Sequence, residues 1–326
     1  MDLLEIPLEI RAEQTSIDAH GAVRILWPDG HVSIFTSEWL HGHRVGRSAP
    51  PPRTPRLWNG DVVDDIPRIP YDEVVGSEEG RLRWCEALHD WGVAFITGVP
   101  CEEGHATRVG ERIGFVWTHM PGQIFDIQPR ESAESLAYTA LSLSLHTDLP
   151  SRTTPPRYQL LHCIENDVEG GDSILANAFT IAAALRAEAP ELYALLRDLP
   201  VEFRFLADTV DYRAQTHILE HGGDGELWRV RFNTFLQSPL ALPTSQIESF
   251  YRAYRTFLKM TTEPRFQLRF RLRPSDLVSF DNWRILHGRT RFDPGGGRRH
   301  MQTCYLEADE LESRMRILEQ AGHRST

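Results

Sequence analysis

The sequence has 326 residues, of which 41% are hydrophobic and 25% charged, and its formal net charge at pH 7 is −11. This length allows one large domain, or one large and one small domain, with a sizeable core. The negative charge argues against nucleic acid as a partner, because phosphate binding needs a positive surface. No apolar run approaches the roughly 20 residues of a membrane-spanning helix, and the acidic N-terminus lacks a signal-peptide pattern. We therefore expect a cytoplasmic protein that binds neither membranes nor nucleic acid.

The N-terminal part of the sequence predicts a small β-module. Residues Ala22–Trp27 and His31–Phe35 alternate in hydrophobicity, and the turn sequence Pro28–Gly30 between them is typical of a hairpin. The following stretch, Arg47–Pro55, is rich in proline and arginine, which disfavours a helix or an inner strand. We therefore expect three regions, which are an N-terminal module over residues 1–46, a linker over residues 47–66 and a main domain over residues 67–326.

The main domain alternates short strands with helices. Helices are predicted over Glu78–Trp91, Glu103–Ile113, Ile181–Arg197 and Gln246–Met260. Strands are predicted over Val93–Thr97, Arg157–Ile164, Leu227–Phe232, Phe266–Leu272, Leu277–Phe280 and Met301–Leu306. Many short strands separated by turns, with helices on the outside, indicate a mainly β fold with flanking helices around a double-stranded β-helix, or jelly roll.

One motif places a histidine and an aspartate two residues apart. If His146 and Asp148 lie on a strand, both side chains point to the same face and can reach one metal ion. Such a pair is by itself weak evidence for a metal site, because a structural or solvated histidine–aspartate pair is more common. A later histidine, His287, makes a metal site more favourable than a structural pair. The two-histidine, one-carboxylate triad of jelly-roll proteins has this chain order, with H-x-D early in the fold and one histidine late in it. That triad leaves open positions on iron(II) for a co-substrate and oxygen.

A basic pair follows the last of these histidines. Arg298 and Arg299 come directly before the predicted strand Met301–Leu306. A fixed arginine is well suited to hold a carboxylate through two parallel hydrogen bonds. The alternative is an exposed basic pair after a glycine-rich turn. Together with the three candidate metal ligands, the pair favours a site for the distal carboxylate of 2-oxoglutarate.

Several stretches of the sequence resemble the γ-butyrobetaine hydroxylase family, a branch of the taurine-dioxygenase-like Fe(II)/2-oxoglutarate oxygenases that includes trimethyllysine hydroxylase. The resemblance covers nearly the whole chain. The stretches that carry it are Leu136–Thr139, His146–Pro150, Leu160–Cys163, Gly170–Ser173, Phe280–Arg289, Arg299–Met301 and Ser313–Leu318, with Trp27–Gly30 and Trp39–Leu40 near the N-terminus.

The resemblance implies the cofactors and the residues that hold them. His146, Asp148 and His287 match the family's iron ligands, and Arg299 matches the arginine that binds 2-oxoglutarate, with Arg298 as the alternative in register. The implied cofactors are Fe(II), 2-oxoglutarate and O2, with ascorbate as the reductant in vitro.

Three further positions are implied for the 2-oxoglutarate pocket. Leu161 and Ser173 fall where the family lines this pocket. Ser135 stands where the family usually has an asparagine near the keto-acid end, and a serine hydroxyl can still donate one hydrogen bond there.

The resemblance also implies a pocket for a zwitterionic substrate. Tyr138 and Tyr305 match aromatic residues that surround a trimethylammonium group, and Asn233 lies where the family contacts the substrate carboxylate. Two further aromatic positions of the family correspond here to Pro121 and Phe125. Because aromatic faces attract quaternary ammonium groups, the change to proline removes part of the wall and leaves the substrate open.

The N-terminal module departs from the family at its zinc site. Family members often carry zinc on a cysteine-containing stretch, whereas the equivalent Trp39–Gly46 has no cysteine and offers only His41 and His43. Structural zinc sites usually need several thiolate or imidazole ligands. We therefore predict no structural zinc.

These observations predict an enzyme that oxidises an unactivated C–H bond of a small amine or betaine-like zwitterion, most simply by hydroxylation, with succinate and CO2 as co-products. One alternative is a different amino-acid-like substrate in secondary metabolism, with hydroxylation, desaturation or cyclisation as the outcome. Two others are a non-catalytic jelly-roll binding or sensor protein and a zinc hydrolase. The resemblance further implies a homodimer.

Overall fold

The computed structural model describes residues 3–44, 54–118, 124–128 and 139–324, and it divides the chain into two compact units, Met1–Thr54 and Pro55–Thr326. The expected linker over residues 47–66 spans this division. Its residues 47–53 lie outside the described part, while Trp58 and Ile66 are buried in the core of the larger unit. In the described part of the chain, none of the helices is both long enough and apolar enough to cross a membrane.

The smaller unit contains one antiparallel sheet. Its strands are β1 (Gln14–Ile17), β2 (Val23–Leu26) and β3 (Val32–Phe35), in the order β1-β2-β3. The predicted hairpin is confirmed as β2 and β3, whose turn includes Gly30 at a φ of +83°. A 3-10 turn over Leu3–Glu5 precedes the sheet, and helix α1 (Ser37–Gly42) follows it with the hydroxyl of Thr36 as its N-cap.

The larger unit contains fourteen strands and seven helices among its described residues. The strands are β4 (Arg68–Pro70), β5 (Val93–Thr97), β6 (Phe125–Ile127), β7 (Leu143–His146), β8 (Tyr158–Asn166), β9 (Ser173–Asn177), β10 (Val201–Ala207), β11 (Val210–Thr216), β12 (Leu219–His221), β13 (Leu227–Val230), β14 (Leu268–Phe270), β15 (Asp276–Asp281), β16 (Ile285–Arg289) and β17 (Arg299–Leu306). The helices are α2 (Tyr71–Gly76), α3 (Glu78–Trp91), α4 (His105–Gly110), α5 (Ala178–Glu188), α6 (Pro190–Asp198), α7 (Thr244–Thr261) and α8 (Ala308–Arg324), with a 3-10 turn over Pro264–Phe266.

Two sheets form the double-stranded β-helix that the sequence predicts. The six-stranded sheet has the order β4-β5-β15-β8-β17-β6, and the four-stranded sheet has the order β14-β9-β16-β7. Side chains from both sheets, including Phe95, Leu175, Phe280 and Met301, form one hydrophobic core. This core fixes the four-stranded sheet, which carries β7 and β16, against the six-stranded sheet.

Helices cover the outer face of each sheet. Helices α3, α4 and α8 share a core with the six-stranded sheet, and helices α5, α6 and α7 share another with the four-stranded sheet and the β10–β11 and β12–β13 hairpins. Helix α3 has the predicted bounds because Ser77 caps its N-terminus and Gly92, at a φ of +73°, ends it.

The single helix predicted over Ile181–Arg197 is wrong, since two helices occupy this stretch. Helix α5 ends at Glu188 and helix α6 begins at Pro190. Proline has no N–H to donate within a helix, yet it is well placed at the first helical position. The hydrophobic spacing continues across the break, which is why periodicity alone merges the two helices.

Candidate active site

Two of the predicted metal ligands lie side by side on neighbouring strands. His146 ends β7 and pairs in register with His287 of the antiparallel strand β16. Their ring centroids are 4.4 Å apart. The strands approach closely at Gly288, where a Cβ atom would overlap the carbonyl oxygen of Leu143. A glycine at this position therefore allows both imidazoles to face one point.

Asp148 completes the group from a loop. Strand β7 ends at His146, so the carboxylate reaches the histidines through the loop that follows and not through the strand alternation assumed from the sequence. Its Oδ1 lies 3.1 Å from His146 Nε2, and its Oδ2 lies 3.4 Å from His287 Nε2. The candidate ligand atoms of all three residues lie within 4.8 Å of one another. Two imidazoles and one carboxylate fit the donor set of a non-haem iron(II) site.

The two histidines present suitable nitrogen atoms to a metal. His146 Nδ1 lies 2.8 Å from the carbonyl oxygen of Ser144, so Nδ1 carries the proton and Nε2 is left as a lone-pair donor. Burial lowers the pKa of His287 despite the opposing charge of Asp148, which favours the neutral imidazole that binds metals. Burial alone would raise the pKa of Asp148, but the two histidines outweigh it and hold that pKa well below its usual range. A charged carboxylate beside neutral imidazoles is the state that binds a cation.

The backbone of Asp148 is fixed by a second loop. Its N–H donates to Asn282 Oδ1 at 2.7 Å, and the amide of Asn282 donates back to the carbonyl oxygens of Asp148 and Pro156. Leu149 follows at a φ of +53°, a left-handed conformation that is costly for a residue with a side chain. These contacts and the turn direct the Asp148 side chain back toward His146.

The two candidate arginines differ in their surroundings. Arg298 has a side chain that is 79% exposed and forms an ion pair with Glu165 at 3.0 Å. Arg299 is only 6% exposed, and its buried Nε has no hydrogen-bond partner among the described residues. Burial lowers the pKa of Arg299 to about 10. A buried arginine with a free donor requires an anionic partner, and Arg299 meets this description whereas Arg298 does not.

The chain is similar to known proteins in sequence and in fold. The Taurine catabolism dioxygenase TauD, TfdA family matches residues 57–305. γ-Butyrobetaine dioxygenase of Pseudomonas sp. (strain AK-1) is 38% identical over 321 residues, which are 97% of this chain and 83% of that protein. The Homo sapiens γ-butyrobetaine dioxygenase is 30% identical over 310 residues, which are 91% of this chain and 80% of that protein.

The chain belongs to the TauD/TfdA dioxygenase family. A solved structure titled as a putative α-ketoglutarate-dependent taurine dioxygenase from Burkholderia xenovorans has the same fold, with a TM-score of 0.57 and 17% identity over 78% of this chain and 91% of that one. The predicted family, fold class and enzyme class are thereby confirmed. The dioxygenase depends on Fe(II), 2-oxoglutarate and O2.

An aromatic group in this dioxygenase lies directly beside the candidate metal site. The hydroxyl of Tyr305 donates to Asp148 Oδ2 at 2.6 Å. The Tyr305 ring packs edge-on against Phe125 at 6.0 Å and against Trp117 at 6.4 Å between centroids. The predicted substrate residues Tyr305 and Phe125 are thus together, whereas Tyr138 and Pro121 lie outside the described residues.

The amide of Asn233 is largely committed to the backbone of the dioxygenase. Its Oδ1 accepts hydrogen bonds from the N–H groups of Phe235 and Leu236 at 2.9 and 3.1 Å, and its Nδ2 donates to the carbonyl oxygen of Thr147 at 3.2 Å. An amide has two N–H donors, so one remains for another group. Asn233 therefore stabilises the turn after it and the loop residue Thr147 before Asp148.

The residues predicted for the 2-oxoglutarate pocket lie on the two facing sheets. Leu161 is on β8 and packs partly buried against the core between the sheets. Ser173 is on β9, where it pairs in register with Arg289 of β16. Ser135 lies outside the described residues.

Two residues of the site were missed from the sequence. Arg289 is buried, lies two residues after His287, and its guanidinium donates to the carbonyl oxygens of Thr139 and Leu141. Its Cζ and that of Arg299 lie 5.4 and 5.3 Å from the same ring, that of Phe292. The i, i+2 spacing from His287 is a signal that could have found Arg289. Trp117 had no comparable signal, since only the folded chain brings it to Tyr305.

The N-terminal histidines of the dioxygenase make local contacts. His43 Nδ1 lies 2.7 Å from the carbonyl oxygen of Trp39, and His41 contacts the guanidinium of Arg44. The absence of a structural zinc ion stays a prediction.

Proposed function

We propose that this dioxygenase hydroxylates an unactivated C–H bond of a small amine or betaine-like zwitterion while 2-oxoglutarate is converted to succinate and CO2. The observation that carries the proposal is the 2.6 Å hydrogen bond from Tyr305 to Asp148, which places an aromatic ring at the metal site. Aromatic faces attract quaternary ammonium groups. The similarity to γ-butyrobetaine dioxygenase and to trimethyllysine dioxygenase, whose names refer to trimethylammonium compounds, supports this substrate class.

His146, Asp148 and His287 are the residues that hold Fe(II) in this proposal. Their ligand atoms are close together, and hydrogen bonds to the Ser144 carbonyl and to Tyr305 orient His146 and Asp148. The bound iron supplies the activation of O2 that oxidises the substrate. The protein supplies the position of the substrate and the exclusion of side reactions.

Arg299 is the residue that binds the distal carboxylate of 2-oxoglutarate, with Leu161 and Ser173 lining the same pocket. The family resemblance assigns Ser135, which lies outside the described residues, to the same co-substrate. Two buried guanidiniums, those of Arg299 and Arg289, lie against Phe292. Burial and, to a lesser extent, the positive charge of Arg299 lower the pKa of Arg289 to about 10. A dianionic co-substrate relieves this repulsion. Arg298 is paired with Glu165 at the surface and has no part in the pocket.

The substrate amine lies against Tyr305 and Phe125. The family resemblance assigns Tyr138 and Pro121, which lie outside the described residues, to substrate binding as well. Asn233 keeps one amide hydrogen for the substrate carboxylate. Hydroxylation is the expected outcome when the oxidised carbon can receive the hydroxyl group, and desaturation or cyclisation is the outcome when substrate geometry prevents this.

The decisive experiment is mass spectrometry of an aerobic reaction that contains the protein, Fe(II), 2-oxoglutarate, ascorbate and γ-butyrobetaine. We expect succinate and a product heavier by one oxygen atom. Succinate without an oxygenated product would reject this betaine and redirect the search to other amines and amino acids. With neither product, an anaerobic search for the iron–2-oxoglutarate charge-transfer band decides whether the cofactors bind.

The metal ligands are tested separately by Asp148→Ala. Removing the carboxylate takes away one of three ligands and the only negative charge among them. We expect the bound iron per chain and the coupled formation of succinate to fall to background. The matched control is Asp198→Ala, which removes an exposed carboxylate paired with Arg197. Full activity in the Asp148 variant would reject the ligand assignment.

We further propose that the protein is a cytoplasmic homodimer that binds neither nucleic acid nor membranes, with residues 1–46 as a separate module. The net charge of −11 supports the lack of nucleic-acid binding. Light scattering after size-exclusion chromatography tests the dimer, and a mass of 37.3 kDa would reject it.

A further inference from the structure

A cavity of about 380 Å³ lies next to the aromatic residues of the active site. Its lining includes Trp117, Arg152 and Tyr212. The ring of Trp117 also packs edge-on against Tyr305, whose hydroxyl binds Asp148. Trp117 therefore borders both the cavity and the active site.

The guanidinium of Arg152 lies against two aromatic rings in this cavity. Its Cζ lies 3.6 Å from the ring centroid of Tyr212 on β11 and 5.3 Å from that of Trp117. Stacking occupies the faces of the guanidinium and leaves the N–H groups at its edge for acceptors in the same plane. Among the described residues, no carboxylate lies within ion-pair distance of Arg152, and its buried Nε has no hydrogen-bond partner. The edge of this cation is therefore available to a ligand.

The other groups that line the cavity do not neutralise Arg152. The carboxylate of Asp211 also lines it, but Arg204 and Arg213 bind that carboxylate at 2.7 and 2.6 Å. The hydroxyl of Ser151 lines the cavity as well, is 1% exposed and has no partner in the described part of the chain. An unpaired cation and an unpaired hydroxyl in one cavity are suited to an anionic ligand.

The loop that carries Arg152 is rigidly held. The guanidinium of Arg231 donates to the carbonyl oxygens of Pro150, Arg152 and Thr153 at 2.9, 2.6 and 2.8 Å. Arg231 itself is buried and paired with Glu220 at 2.6 Å. The position of Arg152, four residues after Asp148, is thus fixed before a ligand binds. Such preorganisation reduces the entropic cost of binding.

We propose that Arg152 binds the anionic group, a carboxylate, of a zwitterionic substrate whose amine lies against Tyr305. This inference rests on the proposed function, since it assigns the second charge of the substrate. It also accounts for Asn233, whose amide is mostly committed to the backbone and retains one donor. The guanidinium supplies the positive charge that an amide lacks, and Trp117 contacts both Arg152 and Tyr305.

The test compares two probes that share a cation and differ in the carboxylate, γ-butyrobetaine and n-butyltrimethylammonium. Their dissociation constants are measured by calorimetry on the anaerobic protein loaded with Fe(II) and 2-oxoglutarate, in which no turnover occurs. We expect the protein to bind γ-butyrobetaine at least about tenfold more tightly. Arg152→Gln should weaken γ-butyrobetaine about 10- to 100-fold and leave the carboxylate-free probe unchanged.

Two further variants make the result specific. Arg152→Lys keeps the charge but not the two-pronged geometry, and should restore part of the lost affinity. Arg186→Ala is the matched control, because Arg186 also stacks on a tyrosine, Tyr193, but lies exposed on α5. Its affinities should equal those of the unaltered protein.

The outcomes separate this inference from the proposed function. Equal affinity of the unaltered protein for both probes, or an unchanged affinity for γ-butyrobetaine in Arg152→Gln, would overturn the role of Arg152. If γ-butyrobetaine is still oxygenated in air in that case, the proposed function stands. Binding of neither probe would overturn both the substrate class and the role of Arg152.

Discussion

The hydroxyl of Tyr305 donates a 2.6 Å hydrogen bond to Oδ2 of Asp148, and this bond joins β17 of the six-stranded sheet to the loop after β7. In the proposed function, the ring of the same tyrosine forms a wall of the substrate pocket and its hydroxyl orients a metal ligand. The hydroxyl and the ring can be tested separately.

Changing Tyr305 to phenylalanine removes the hydroxyl and keeps the ring. Loss of a hydrogen bond to a metal ligand typically costs about 10- to 100-fold in metal affinity or activity, and we expect this range for the iron affinity. The affinity for a quaternary ammonium probe should stay nearly unchanged. The measurements are iron titration and calorimetry with n-butyltrimethylammonium.

The matched control for that change is Tyr193→Phe. This change also removes one hydroxyl, which lies 2.8 Å from His221 Nε2. Tyr193 is on helix α6, in the core that the helices form with the outer face of the four-stranded sheet. Its iron affinity should not change. If Tyr305→Phe binds iron normally, the hydrogen bond does not orient Asp148.

Changing Arg299 to alanine tests the site for 2-oxoglutarate. A charge-assisted, two-pronged contact with a carboxylate is lost, and we expect the Michaelis constant for 2-oxoglutarate to rise at least about tenfold. The neighbouring Arg298→Ala is the matched control, because its side chain is exposed and paired with Glu165. A larger effect in the Arg298 variant would reverse the assignment.

Gly288 brings the two histidine-bearing strands together, and Gly288→Ala tests this. The added methyl group would overlap the carbonyl oxygen of Leu143, so β16 and β7 must move apart. We expect the free energy of unfolding to fall by about 1–3 kcal/mol and the iron affinity to fall with it. Urea denaturation and iron titration measure the two effects.

Gly223→Ala is the control for the added methyl group, since a Cβ atom at Gly223 meets nothing within 4 Å. Its stability and its iron affinity should match those of the unaltered protein. Normal iron binding in Gly288→Ala would mean that the two strands can separate without moving His146 away from His287.

Local patterns predicted much of the fold because each acts within a few residues. Serine and glycine at the two ends of α3 set its bounds, and the apolar run that follows Gly92 predicted strand β5 over Val93–Thr97. The hairpin β10–β11 was not predicted, although Val201, Phe203 and Phe205 alternate with polar residues. This hairpin supplies Tyr212, so the cavity of Arg152 could not be foreseen.

The candidate site was predicted in its residue types but not in its geometry. The spacing of His146 and Asp148 pointed to a shared metal ion, yet the strand ends between them and a left-handed turn at Leu149 produces the convergence. Sequence spacing also does not reveal long-range contacts such as those of Trp117 with Tyr305 and Arg152. These depend on how the two sheets and the hairpin pack.

His162 lies on the outward face of the six-stranded sheet, away from the metal site. It is 0% exposed, and neither ring nitrogen has a hydrogen-bond partner in the described part of the chain. Burial, with smaller contributions from His105 and His300, lowers its pKa from 6.5 to about 4. As the pH falls, His162 therefore takes up a proton in the unfolded chain before it does so in the folded chain. The contribution of neutral His162 to the free energy of unfolding is fully present above pH 6.5 and is lost between pH 6.5 and 4.

The shift in the pKa of His162 sets the size of this loss in the free energy of unfolding, which is about 3 kcal/mol. In His162→Leu, which cannot take up this proton, the free energy of unfolding should fall by about that much less between pH 7 and pH 4. Urea denaturation at several pH values gives the comparison, with the exposed His31→Leu as the control. Because other groups titrate in the same range, only the difference between the variant and the unaltered protein is interpreted. Identical pH dependence in both would show that His162 is accessible to protons in the folded state.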